Sequence, residues 1–140
     1  MSVVLAGFGV CLALAAEPNT PRYLPVHAFT LAWTHSIEKT RWEEDYTVTA
    51  ANSTDQPPLL VAGMARVQGS AAGMEPPPDA ILQNGWYEYL PDTQLPTVLR
   101  LTRSGYTADY EWCVQGHCQP MTDILPTDGG ITLLYACRQP

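Results

Sequence analysis

Two stretches of this sequence gather the side chains that carry chemistry. The first, WTHSIEKTRWEEDY from Trp33 to Tyr46, holds a histidine, two bases, two tryptophans and an acid-rich end. Hard cations take several oxygen ligands, so Glu38, Glu43, Glu44 and Asp45 could hold one together with Glu75. His35 beside those carboxylates would suit zinc or another transition metal. The spacing matches no established metal motif, and a solvated ion-pair cluster at a strand connection is the plainer reading.

The second stretch is VQGSAAGMEPPPDA, residues 67 to 80. Gly69 and Gly73 let the backbone turn sharply or approach a partner closely. Successive N–H groups in such a segment can cradle an anion. Glu75 precedes Pro76 and is pushed toward extended backbone, and the three prolines stiffen the chain beyond it. The stretch reads as a constrained loop that presents one carboxylate and closes an end of a β-fold. Nucleophilic catalysis has little to stand on: Ser36, Ser70 and Ser104 lie in no G-x-S-x-G elbow. The residues favour binding over an enzyme, with no cofactor and with a divalent metal ion as the alternative.

The elements that would position these residues are strands. Thirteen prolines and ten glycines in 140 residues favour many short elements joined by turns. Val26 to Trp33 alternates, as do Tyr46 to Ala50, Leu59 to Val67 and Val98 to Thr102. Gly63 marks a bulge in the third of these. The charged run Ser36 to Asp45 links the first two. Asn84-Gly85 is a strong hairpin signal, and Asp128-Gly129-Gly130 is the turn before a last strand, Ile131 to Cys137. The expected fold is all-β: a small antiparallel sandwich or barrel of about seven to nine short strands. Residues 17 to 25, with three prolines, form an extended entry segment.

The formal net charge of -7 excludes nucleic acid as the main partner and disfavours an anionic membrane surface. The first sixteen residues carry no charged side chain. As a helix they would reach about 24 Å at ~1.5 Å per residue, short for a membrane span. Ala13-Leu14-Ala15 offers a small-x-small cleavage pattern, so residues 1–16 are read as an export signal, with a retained anchor as the alternative. Membrane contact would then come only through that segment, and residues 17–140 would form one exported, periplasmic or extracytoplasmic domain. Without the leader, three cysteines remain. Cys113 and Cys118 read as a clamp at the base of a tight hairpin turning at Gly116. Cys137 is left over, and its pairing with Cys113 or Cys118 stays open.

The motifs WTHSIEKTRWEEDY, ARVQGSAAGMEPPPDA, GWYEYLP and WCVQGHC together resemble a bacterial family known as domain of unknown function 1850. The resemblance runs from about Phe29 to Cys118. It rests on His35, Ser36, Glu38, Lys39, Trp42, Glu43 and Glu44, and on Gly69, Ser70, Gly73, Met74, Glu75 and Pro76. Arg41 stands where the family often has proline, and Ala71 where it often has glycine. Members occur beside TAXI-type tripartite ATP-independent periplasmic (TRAP) transporters. The resemblance therefore implies an accessory or regulatory partner of a transporter subunit. Because both segments join strands, the residues themselves place the expected binding face where Trp33 to Glu44 and Gly69 to Pro76 come together at one end of the sheet.

Overall fold

The computed structural model describes residues 7–34, 40–51, 53, 55–68, 78–91 and 95–140. Two antiparallel sheets face each other. The smaller has the order β2-β1-β11-β8, built from Phe8–Leu14 (β1), Arg22–Leu24 (β2), Leu99–Thr102 (β8) and Ile131–Arg138 (β11). The larger has the order β10-β9-β3-β4-β5-β7-β6. Its strands are Ala28–Thr34 (β3), Arg41–Thr49 (β4), Leu59–Gln68 (β5), Ile81–Gln83 (β6), Trp86–Tyr89 (β7), Glu111–Val114 (β9) and His117–Pro120 (β10). Neither sheet closes on itself, so the all-β expectation resolves to a sandwich rather than a barrel. The only helix among the described residues is a single 3-10 turn, Met121–Asp123.

Period-two alternation decides which side chains enter the core. Phe29, Leu31, Tyr46, Val48 and Trp112 from the larger sheet meet Val10, Leu12, Leu101 and Leu134 from the smaller. Phe29 anchors the contact, with Trp112 stacked on one side at 4.3 Å and Tyr46 on the other at 5.3 Å. Aromatic pairs at these spacings add to the burial of apolar area.

The turns follow their residues. Asn84 and Gly85 have φ of 55° and 85°, and Gln115 and Gly116 have 52° and 81°. Each pair closes a two-residue hairpin, β6–β7 and β9–β10, with the left-handed pair of conformations such loops require. Gly63 and Met64 stand together opposite Asp45, which makes the expected bulge in β5.

Eleven strands among the described residues exceed the expected seven to nine, and the surplus lies near the beginning of the sequence. Phe8–Leu14, within the run read as a leader, is a strand paired with β11 over seven residues and with β2 over three. Arg22–Leu24, within the entry segment, is the second added strand. An uncharged apolar run satisfies a leader and a strand buried on both faces equally well, and hydropathy does not separate the two. Gly9 is required where it stands, because a Cβ there would lie 2.2 Å from the Leu24 carbonyl oxygen of β2.

Two disulfides lock this arrangement. Cys113 bonds Cys118 across the β9–β10 ladder, as the hairpin reading expected. Cys137 pairs with neither of those: it bonds Cys11, 126 positions away. A buried cation ties together the segments around Asp109, Leu125 and Thr132. Arg103, 2% exposed, donates to both carboxylate oxygens of Asp109 at 2.9 and 2.8 Å, to Thr132 Oγ1 and to the Leu125 carbonyl.

In the chain-entropy account a crosslink over the longer span stabilises by about 5 kcal/mol, against about 2 kcal/mol for the hairpin bridge. Urea unfolding of Cys11→Ser/Cys137→Ser and of Cys113→Ser/Cys118→Ser should therefore show the larger midpoint drop for the first pair. Equal drops would contradict that ordering.

Candidate functional site

Strand β4 carries the charged run through both faces of the larger sheet. The run was expected to be a connection, yet Arg41 to Asp45 lie within the strand. Trp42, Glu44 and Tyr46 stand opposite Trp33, Leu31 and Phe29 and share their inner face. Arg41, Glu43 and Asp45 therefore fall on the outer face. Adjacent Glu43 and Glu44 thus serve different surroundings, and the expected single acidic cluster is divided.

On the outer face the acids are already paired. Arg66 of β5 donates to both Asp45 oxygens at 3.0 Å and to Glu43 at 2.7 Å. Arg41 donates to Glu43 at 2.8 Å and to Glu111 of β9. Thr30 donates its hydroxyl to Asp45 at 2.6 Å. The network crosses four neighbouring strands, β9, β3, β4 and β5. Burial alone would raise the Glu43 and Asp45 carboxyls. The hydrogen bonds and charges of Arg41 and Arg66 outweigh it for Glu43, and Arg66 and Thr30 outweigh it for Asp45, so both are held below the usual carboxylate range. Arg66 is pushed up by its bonds to Asp45 and Glu43 against the cost of burial. A broad groove of about 820 Å³ lies over this face, bounded by His27, Thr30, Asp45, Arg66, Cys113 and Gly116. The charged groups on its floor are committed to one another.

The inner face differs. Glu44 accepts a 2.6 Å hydrogen bond from the Tyr46 hydroxyl, and among the described residues no arginine, lysine or histidine pairs with it. Burial, and then the nearby Glu44 charge, raise the phenols of Tyr46, Tyr89 and Tyr110. Trp33 and Trp42 stack at 6.0 Å, with Tyr110 edge-on to Trp33 at 6.0 Å. The buried Trp42 indole N–H has no acceptor among the described residues. A cavity of about 120 Å³ opens nearby, lined by Glu44, Tyr46, Ala62, Met64, Pro91 and Leu95. A lone carboxylate among aromatic rings is chemically suited to a cationic group.

Of the sequence-derived site residues, the described ones are Trp42, Glu43 and Glu44, with Asp45 from the candidate cation ligands. His35, Ser36, Glu38, Lys39, Gly69, Ser70, Gly73, Met74 and Glu75 lie outside the described residues. The strand ends that carry them are fixed, however. Trp42, one residue into β4, is in register with Trp33 near the end of β3 and with Val67 near the end of β5. The segments 35–40 and 69–80 thus leave from the same end of the larger sheet, on neighbouring strands. No group of three or more His, Cys, Asp or Glu among the described residues could hold a metal ion. Sequence reasoning passed over Arg66, Tyr46, Tyr89, Tyr110 and Glu111 as partners. The signal was present in RWEEDY, where the odd positions Arg41, Glu43 and Asp45 are all charged and the even positions Trp42 and Tyr46 are aromatic, a strand's period of two.

A model of the family described as "Domain of unknown function (DUF1850)" matches residues 29–121, from β3 to the 3-10 turn. No curated protein and no solved structure matches the chain.

The lowered carboxyls set a pH dependence. A carboxylate whose folded pKa lies below its unfolded value stabilises above about pH 4 and loses that contribution as pH falls through the folded value. Glu43, Asp45 and Asp109 all behave this way. Glu43→Gln/Asp45→Asn should cost about 1 kcal/mol at pH 7, the pairs being partly exposed. It should also flatten the decline in melting temperature as the pH falls below about 4. An unchanged acid limb would contradict the network's role.

Proposed function

The chain belongs to the DUF1850 family, and on that footing we propose that it is an extracytoplasmic binding domain without enzymatic activity, an accessory of a TAXI-type TRAP transport system. The binding face would lie at the end of the larger sheet where segments 35–40 and 69–80 depart. There Glu44 receives a basic group of a transporter subunit, with Glu38 and Glu75 contributed by the two segments and His35 tuning the site with pH. The single observation that carries this reading is the inner-face carboxylate. Glu43 and Asp45 are neutralised by arginines, whereas Glu44 has no cationic partner among the described residues and sits between tyrosines and a tryptophan pair. Two disulfides agree with an oxidising compartment. Among the described residues no helix is long and apolar enough to cross a membrane. The transporter setting is supported by the sequence resemblance alone.

Co-purification with the transporter subunits tests the reading. Glu44→Gln keeps an acceptor for Tyr46, so its melting temperature should stay near wild type. Binding should weaken by about 2 kcal/mol, roughly thirtyfold. Glu75→Ala should act in the same direction, and Glu43→Gln should lower stability while leaving binding largely intact. Wild-type capture by Glu44→Gln/Glu75→Ala would sink the proposal. For the alternative of a divalent metal ion held by the same segments, a melting scan with Ca²⁺, Mg²⁺, Mn²⁺ and Zn²⁺ decides. An ion that binds only the native state raises its melting temperature, and no ion is expected to do so.

A further inference from the structure

We propose that Phe8–Leu14 is kept in the working protein as a structural strand, and that the Cys11–Cys137 bond is an oxidation-dependent clasp that closes the sandwich. The inference does not rest on the binding site proposed above. It rests on where the apolar run sits. β1 is an inner strand of the smaller sheet, between β2 and β11. Val10, Leu12 and Ala13 are fully buried, and Cys11 is 2% exposed. Val10 and Leu12 belong to the same core cluster as Leu134 and Phe29.

The small-x-small pattern that suggests a cleavage point lies inside this arrangement. Ala13 is in register with Leu133 and Leu14 with Thr132. Just beyond, the Ala15 N–H donates to the Ile131 carbonyl at 2.8 Å, and the Glu17 N–H donates to the Leu14 carbonyl. A cut after Ala15 or Ala16 would remove the whole of β1. β2 would lose its sheet neighbour, the Leu134 side of the core would lose Val10 and Leu12, and Cys137 would be left without its partner. Buried apolar surface of this kind is not given up without destabilising the remainder.

The clasp also imposes an order of events. Its two sulfurs lie 126 positions apart, so the bond forms only after the chain has been made through residue 137 and folded back. Forming it converts two thiols to a disulfide, with two protons and two electrons passing to a thiol oxidant of the extracytoplasmic compartment. In a reducing compartment β1 is held by its ladder and core contacts alone.

The test is a non-reducing peptide map of the full chain, produced in a bacterial host that exports it. Free thiols are blocked with a maleimide at harvest, and cytoplasmic and extracytoplasmic fractions are compared. Trypsin cleaves after Arg22, Arg103 and Arg138. The expected product, in the extracytoplasmic fraction, is a peptide ending at Arg22 and containing Cys11, disulfide-linked to residues 104–138. The cytoplasmic fraction should carry maleimide on Cys11 and Cys137. A mature chain beginning at Ala16 or Glu17, with Cys137 labelled, would overturn retention. A chain that keeps residues 8–14 but carries label on both cysteines outside the cytoplasm would overturn the clasp. Finding the protein only in the cytoplasm with free thiols would do the same.

Discussion

The antiparallel pairing of β1 with β11 is the contact on which the rest of the structure depends. It joins residues at opposite ends of the described chain, in register from Phe8 with Arg138 to Leu14 with Thr132. Closing so long a span is entropically costly, and it creates the inner part of the smaller sheet. Val10, Leu12 and Leu134 then supply one wall of the core, and Phe29, Tyr46 and Trp112 pack against it. A covalent bond between Cys11 and Cys137 holds the same pair of strands. Arg103 completes the lower layer: buried beside Thr132 of β11 and bonded to Asp109, it anchors the β8–β9 connection and the turn after β10. Nothing in the residue pattern singles out that arginine, because two of its partners, Thr132 and the Leu125 carbonyl, come from other segments of the chain.

With the smaller sheet in place, the larger sheet can use its two faces differently. The outer face carries an ion-pair ladder that stitches β9, β4 and β5 through Arg41, Glu43, Arg66, Asp45 and Glu111. Cross-strand pairs of opposite charge are a regular means of stabilising such a sheet. The inner face is apolar where the smaller sheet covers it and becomes aromatic and acidic toward Trp33, Trp42 and Glu44. A strand's period of two therefore separates structural carboxylates from an available one, although the sequence places Glu43 and Glu44 side by side. That separation is why charge density alone pointed to a single cluster.

Much of the architecture was legible because short-range chemistry decides it. Asn84-Gly85, Gln115-Gly116 and Gly129 adopt the positive φ expected of such turns, and the Cys113–Cys118 clamp follows from a hairpin between them. The strands Ala28–Thr34, Leu59–Gln68, Leu99–Thr102 and Ile131–Arg138 appear close to where the pattern put them, whereas Arg41–Thr49 begins well before the expected Tyr46. Two features were not legible, each for a physical reason. An uncharged run such as GVCLALAA suits a leader, an anchor or a doubly buried strand alike, and its register with β11 is not written in the run itself. The Cys11–Cys137 link was hidden by that same ambiguity. The candidate site was legible in residue type but not in grouping: Trp42, Glu43 and Glu44 were singled out, whereas their distribution over two faces required the register of β4.

Native-state hydrogen exchange followed residue by residue tests the dependence on β1 most directly. Amides in the strongest part of a fold exchange only through global opening. Val10, Leu12 and Leu134 should exchange together with Leu31 and Trp112, at the slowest rate in the protein. Rapid exchange of Val10 and Leu12, with Leu31 and Trp112 still fully protected, would show a sandwich that stands without its first strand and would contradict this account.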